Sequence, residues 1–461
     1  MKRDYGSVSL WLDNCGDDLT PRAALGGDAD ADVAIVGGGY TGLWTAYYVA
    51  KLEPSARIAV LEAEIAGFGA SGRNGGWCSG LLASRPERIA ADHGRAAVLA
   101  LQRALFETVD EVGKVVADEG IDVHYAKGGT LSVATTRAHV ASLLGALERQ
   151  RQWGYGPEDA RWLDPVEASE RLEVRGCLGA AFTPHCAALH PGRLVRGLAR
   201  AVEDLGVAIY ERSPALSLEP GVVRTPNGRV RADVIVRATE GYTARLRAHR
   251  RALLPIYSLM IATEPLPPAF WDEVGWGARE TVTDGRHVII YAQRTADGRI
   301  AIGGRGAPYH YGSRVRDEFD REPRVFAELH RVLKGLWPAV GSAAITHRWG
   351  GPLGIARDWR TSVGFDRRLG LAWAGGYVGD GVAATNLAAR TVADLVLGRP
   401  TELTRLPWVG HRSRAWEPEP LRWIGARLAQ WAVGSADRAE LRAGRPSRRA
   451  QLVSKLTGRH L

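Results

Sequence analysis

Six consecutive residues, Gly37-Gly38-Gly39-Tyr40-Thr41-Gly42, carry the clearest chemistry in this 461-residue chain. They follow a short β-branched run, Asp32–Val36, and lead into a helical pattern, Thr41–Leu52. In a GxGxxG turn of this kind Gly37 permits the tight turn and Gly39 lets backbone approach a pyrophosphate. Gly42 lets helix and strand pack closely, and the positive helix end faces the phosphate charge. Glu62 closes the next expected strand, Arg57–Glu62, 20 residues beyond Gly42, where a carboxylate accepts hydrogen bonds from ribose hydroxyls. An acidic residue there suits NAD or FAD and disfavours NADP, whose 2′-phosphate it would repel. A second run, Gly67-Phe68-Gly69-Ala70-Ser71-Gly72, fits the same pattern. No strand runs straight into it and no good helical pattern follows, so it is not a second fingerprint.

Strand, glycine turn, helix and strand make a βαβ unit. Strand-and-helix alternation returns at Arg193–Asp204, Val207–Tyr210 and Asp233–Ala238. It closes with a strand at Leu371–Ala374 and a long helix at Asp380–Leu397. Between these pieces lie a helical pattern from Glu87 to about Gly120, a strand at Thr130–Ala134 and a helix at Ala138–Gln152. Strands at Leu254–Thr263, His287–Gln293 and Arg299–Gly303, the last two joined by a turn ending in Asp297–Gly298, suggest an antiparallel sheet. The expected fold is α/β. A Rossmann-type parallel sheet is assembled discontinuously from residues 31–86, 185–250 and 350–400. A second, antiparallel-sheet domain spans 87–184 and 251–349, with a loose leader over 1–30 and a basic helical tail over 401–461.

Composition bounds the function. Hydrophobic residues make up 45% and charged residues 24%, as in an ordinary globular protein rather than a disordered one. Cys15, Cys78, Cys177 and Cys186 lack CxxC spacing, so neither a disulfide framework nor a metal site is expected. No apolar run reaches the ~18 residues of a spanning helix, and no signal-peptide h-region opens the chain, so a cytoplasmic location is expected. Residues 401–461 hold 12 Lys/Arg and 5 Asp/Glu, a net +7 of the chain's +9. No nucleic-acid motif accompanies that charge, so no nucleic-acid partner is expected. In Leu421–Val433, Trp423, Ile424, Leu428 and Trp431 recur at roughly helical spacing with Arg422 and Arg427 between them. Such a segment suits packing onto the body or contact with a membrane surface.

Four segments occur in a telling order: the N-terminal glycine motif, GlyPheGlyAlaSerGlyArgAsnGlyGly (67–76), AlaThrGluGly (238–241) and GlyGlyTyrValGlyAspGlyValAlaAlaThrAsn (375–386). Together they resemble the D-amino-acid-oxidase/glycine-oxidase (DAO) family of FAD enzymes over roughly residues 30–400. Through ProIleTyrSerLeuMetIleAlaThrGluProLeu (255–266) and TrpGlyGlyPro (349–352) the chain most resembles γ-glutamylputrescine oxidase-like members. The resemblance implies a DAO/glutathione-reductase-like fold with FAD as cofactor. It implies hydride transfer from a C–N carbon of an amine or amino-acid-like substrate to flavin N5, with reoxidation by oxygen. The alternatives are a dehydrogenase serving a quinone or electron-transfer protein, and a flavin-binding protein without turnover.

The resemblance also implies site residues. Ser71, Arg73, Asn74, Gly75 and Gly76 correspond to the loop beside the flavin. The turn with Gly376, Gly379, Asp380 and Gly381 would offer backbone donors to N1 and the C2 carbonyl, where negative charge develops. Ala238 and Thr239 would close over the adenosine side, and Val207 would meet the adenine through its backbone. Relatives that hold FAD covalently use a histidine in the 67–76 loop or a cysteine near 349; here Arg73 and Trp349 stand at the approximate equivalents, so non-covalent FAD is expected. Ala301 and Gly379 replace lysines that in sarcosine oxidase-like relatives promote oxygen reaction and hold a substrate carboxylate. Candidate substrate residues are Trp77, Tyr257, Tyr291, Arg305, His347, Trp349 and Tyr377. The aromatic rings would enclose an aliphatic amine. Arg305 would pair with a distal carboxylate, and His347 would take the ammonium proton.

Overall fold

In the computed structural model, which describes residues 3–286, 289–304 and 309–443, Ala29–Val36 lies inside an eight-stranded sheet. Alternation sets its two faces. Val33 and Ile35 pack with Leu43, Leu198 and Leu387 from the helices Tyr40–Leu52, Pro191–Asp204 and Gly381–Val396. Ala34 and Val36 join Leu61, Val230 and Ile235 in a smaller cluster on the other face. Across the sheet the order is Ser362–Asp366, Leu371–Gly375, Gly228–Arg237, Ala29–Val36, Ile58–Leu61 and Ala208–Tyr210. All these neighbours are parallel except the first pair. Parallel strands present their carboxyl ends together, and that edge is where α/β sheets bind ligands.

The second sheet also has eight strands, and its pairs are antiparallel save one. Leu254–Thr263 occurs as expected, and Ile300–Gly304 and Ile290–Arg294 fall within a few residues of expectation. His287 and Val288 of the expected second strand lie outside the described residues. The longest strand, Ile345–Ile355, was not expected. Gly350, Gly351, Pro352 and Gly354 interrupt its apolar pattern, yet it pairs with Leu254–Thr263 from Leu254↔Ile355 to Thr263↔Ile345. An edge position tolerates its proline.

Three other expectations need correction. Residues 1–30 are not a loose leader throughout: Leu10, Trp11 and Leu12 are buried in a short helix, Leu10–Asp13. Ser9 Oγ donates to the Gly72 carbonyl at 2.6 Å, and the Trp11 indole donates to the Asn74 carbonyl at 2.7 Å. The polar composition of the segment as a whole hides this one apolar turn. The helical pattern from Glu87 breaks at Gly94 into Pro86–His93 and Arg95–Asp118. The second of these helices, assigned above to the antiparallel domain, buries Val98, Leu101, Leu105, Val109 and Val112 in the same core as Gly381–Val396. Among the described residues, no helix is long and apolar enough to cross a membrane.

Candidate functional site

A cleft of about 210 Å³ opens at the carboxyl ends of the parallel strands. Gly37, Gly39, Tyr40 and Thr41 form its floor, and Glu62, Ala238 and Thr239 line the same space. The glycines are required by contact: a Cβ on Gly37 (φ +114) would lie 2.5 Å from the Ala238 carbonyl oxygen. One on Gly42 would lie 1.9 Å from the Gly37 carbonyl oxygen, so Gly42 acts by packing and does not itself line the cleft. The second glycine run is, as expected, no second fingerprint. It folds back on the first, with Gly67 N–H donating to the Gly38 carbonyl at 3.0 Å and Ser71 Oγ accepting the Tyr40 N–H at 2.8 Å. Ser71 thereby satisfies a donor at the start of the helix Tyr40–Leu52.

Glu62 accepts the Gly38 N–H at 2.7 Å and the Glu64 N–H at 3.0 Å, one on each oxygen. Burial still pushes its carboxyl up to about 7, because removal from water outweighs the two donors. Sequence reasoning missed a second buried carboxylate. Glu240 (φ +37) accepts the Gly354 N–H at 3.2 Å and the Gly376 N–H at 2.9 Å, and burial pushes it up to about 7. It ties the antiparallel edge strand to the turn after Leu371–Gly375. The signal was present in the AlaThrGluGly segment, where only the first two residues were singled out.

At the cleft's other end, Tyr377 shares a hydroxyl contact with Thr41 at 3.1 Å. Val378 takes φ +59, which costs a β-branched residue strain of a kind that persists at functional sites. Gly379 (φ +100) and Gly381 line the cleft, and no side chain caps the helix Gly381–Val396 that starts there. The Asp380 N–H is spent on the Tyr377 carbonyl at 3.0 Å, so the N–H groups of the first helical turn and the positive helix end are what this turn presents.

A second cavity, of about 490 Å³, lies between the antiparallel sheet and the helices Arg95–Asp118 and Arg137–Trp153. It shares Ala70, Asn74, Leu353, Gly379 and Val382 with the cleft, so the two spaces meet along one wall. Trp77, Tyr291, Gly75 and Asp380 line it as well. The Tyr291 hydroxyl lies 2.7 Å from Ser258 Oγ, and its ring stands edge-on to Trp77 at 6.2 Å. Sequence reasoning missed His185, whose ring stacks on Phe106 at 3.6 Å and whose Nε2 lies 2.9 Å from Asp159. It also missed Asp284, paired with Arg286 at 2.8 Å. Neither stands in a recognisable motif; the fold brings them to the cavity.

Several expected site residues lie elsewhere. Tyr257 is fully buried on the face of its strand opposite Ser258, because strand side chains alternate; its hydroxyl meets Arg316 backbone. Trp349 is buried against Trp11 and Met260, and its indole donates to the Arg73 carbonyl at 2.8 Å. His347 sits outside both cavities, 3.1 Å from Asp13. Val207 precedes Ala208–Tyr210 at the amino end of the sheet, and its N–H is spent on Val202; Pro214 and Ala215, beyond the other end of that strand, line the cleft instead. Arg73 borders the second cavity, but its buried guanidinium is held by Asp320, the Phe68 carbonyl and the Gly350 carbonyl. Gly76 and Gly376 line neither space: Gly76 donates to Asn74 and Gly376 to Glu240. Arg305 lies outside the described residues.

The cleft fits a dinucleotide. Its glycine turn, its helix start and the carboxylate one strand away are what a pyrophosphate and a ribose need. Comparison with known proteins agrees. Residues 32–395 match the DAO family, described as FAD dependent oxidoreductase. The chain is 31% identical over 400 residues to the probable oxidoreductase OrdL of Rhizobium meliloti (strain 1021), covering 82% of this chain and 86% of that protein. It is 30% identical over 386 residues to the gamma-glutamylputrescine oxidoreductase of Escherichia coli (strain K12), with the same coverage of 82% and 86%. Its fold is similar to that of the glycine oxidase from Geobacillus kaustophilus, with TM-score 0.66, 24% identity, and coverage of 83% of this chain and 99% of that one. The chain thus belongs to the DAO family of FAD-dependent oxidoreductases.

Proposed function

We propose that this protein oxidises a C–N bond of a small amine or amino-acid-like substrate and passes the electrons from FAD to oxygen. The observation that carries this reading is the wall shared by the two cavities at Ala70, Asn74, Leu353, Gly379 and Val382. One space has the donors of a dinucleotide site, and the other is large and ringed by aromatic side chains. The names of the relatives, gamma-glutamylputrescine oxidoreductase and glycine oxidase among them, support the substrate class.

Gly37, Gly39, Tyr40 and Thr41 would hold the FAD pyrophosphate, Glu62 the ribose, and Ala238 and Thr239 the adenosine side. Ser71, Asn74 and Gly75 would flank the ring, and the backbone of Gly379 and Gly381 would donate where charge accumulates. When bound, FAD supplies the hydride acceptor, N5 of its ring. Trp77, Phe106 and Tyr291 exclude water from the amine and attract its cationic form. His185, steadied by Asp159, takes the ammonium proton, which frees the nitrogen lone pair to assist hydride loss from the adjacent carbon. The resulting imine hydrolyses to a carbonyl compound and an amine or ammonia.

A second reading concerns the acceptor. Ala301 is fully buried beside Met260 and Trp349, at the place where oxygen-using relatives would carry a lysine. That favours a dehydrogenase serving a quinone or electron-transfer protein. Anaerobic mixing with γ-glutamylated amines, polyamines, N-methyl amino acids and D-amino acids tests the substrate class through bleaching of the flavin. If no amine bleaches it, the protein binds flavin without turning over amines. Peroxide yield with and without an artificial acceptor then separates oxidase from dehydrogenase.

A further inference from the structure

We propose that the helix Leu421–Ala443 docks the protein on the surface of an anionic lipid bilayer. Leu421, Ile424, Leu428 and Trp431 are exposed to 61%, 43%, 60% and 62%, and their spacing places them on one stripe of the helix. They are four of the eleven large apolar side chains exposed among the described residues, gathered within a few turns of one helix.

The opposite side of this helix is committed to the body. Arg422 is buried and pairs with Glu419 at 3.2 Å, and Glu419 also accepts the Trp423 N–H at 3.0 Å. Trp423 and Ala426 pack against Leu254, Tyr309, Ile355 and Val378. The stripe therefore faces outward because the inward face is anchored.

Charge selects the occupant. Arg427 is exposed beside the stripe, 5.5 Å over the Trp423 ring. Residues 432–461 add seven Lys/Arg against Asp437 and Glu440, while residues 1–400 carry a net charge of only +2. A second copy of the chain would set one basic tail against another. An anionic bilayer meets both features, taking Leu and Trp side chains into its interface and basic residues at its charged surface. The helix is not apolar enough to span, so it lies in the interface plane. Val378, Leu353, Trp359 and Ala83 belong to the packed cluster that seats this helix, and they also line the larger cavity. Docking thus places the cavity wall one packing layer from lipid.

The test is vesicle flotation of the FAD-loaded full chain, with phosphatidylcholine alone and with phosphatidylcholine plus phosphatidylglycerol, at low and high salt. Binding to the anionic vesicles should exceed binding to the neutral ones on the order of tenfold and fall with salt. A double variant, Leu428→Ser with Trp431→Ser, should lose binding while keeping the flavin spectrum, and Arg427→Glu should weaken it. Flotation does not depend on turnover, so it stands whatever the amine proves to be. Equal binding to neutral vesicles, or full binding by the double variant, overturns the proposal. So does an oligomer that the double variant dissolves, together with no binding to vesicles, because the stripe would then face a second copy.

Discussion

Lowering the pH from about 8 to about 6 should weaken FAD binding to the apoprotein about tenfold, through Glu62 alone. Burial raises this carboxyl from an ordinary 4.5 to about 7 despite the backbone donors of Gly38 and Glu64. At 1.36 kcal/mol per unit, this rise, made of burial first and of repulsion from Glu211 and Glu64 besides, amounts to about 3 kcal/mol. Ribose hydroxyls make charge-assisted bonds only to the ionised form, so binding selects it. About nine in ten apoprotein molecules carry the carboxylate at the higher pH and about one in ten at the lower, which gives the tenfold ratio. For stability the sign is opposite. A raised carboxyl favours the protonated folded apoprotein, so its contribution is whole below the unfolded value of 4.5 and is lost as pH rises through about 7. Glu62→Ala should cost about 1.5–3 kcal/mol of FAD affinity, roughly ten- to a hundred-fold, and flatten the pH dependence. Glu240 is also pushed up to about 7, so Glu240→Gln is the control, and it should keep the slope. Flavin-fluorescence titration of apoprotein at three pH values reads all of this. A wild-type affinity independent of pH, or a slope that survives in Glu62→Ala, refutes the assignment of the ribose to Glu62.

Acid or heat denaturation should release all the FAD, since none of the four cysteines lines the cleft; yellow colour left in the precipitate would show a covalent bond. Gly379→Val, at φ +100, should slow the reductive half-reaction on the order of a hundred-fold and lower the flavin potential, with only modest loss of FAD affinity. Stopped-flow reduction and redox titration measure it, and wild-type values with collapsed substrate affinity would move the turn into the substrate site. His185→Ala should lower kcat/KM on the order of a hundred-fold at neutral pH and recover at high pH, where the amine arrives already deprotonated. An unchanged pH profile would remove His185 from proton transfer.

The glycine turn of the cleft was legible because it depends on local backbone. The turn Gly37–Gly42, the strand it leaves and the helix it enters are contiguous, and each glycine answers a contact within that unit or its neighbour. Glu62 follows from the next strand, whereas Ser71 entered only through the family resemblance. The substrate side was largely illegible because it is assembled from distant strands whose facing depends on register. Tyr257 and Ser258 differ by one residue and face opposite ways, and nothing local reveals which one meets the cavity. Trp349 and His347 were drawn from a strand whose glycines and proline hid its pairing, so their outward and inward faces had no reference. The basic tail was legible in charge and period, but the side it exposes was set by Glu419 and Arg422.

The short helix Leu10–Asp13 bears on the order of assembly. Its seat consists of Gly72, Asn74, His190 and Trp349, all later in the chain and so synthesised after it. Trp349 must be synthesised and its strand paired before that seat exists, so this short helix is among the last elements to settle. Until then the loop over residues 67–76, whose Ala70, Ser71 and Asn74 line the cleft, lacks the bonds from Ser9 to Gly72 and from Trp11 to Asn74. The order of that one wall of the cleft is therefore held by a segment distant from it in the chain, and its local opening follows how often the short helix lets go.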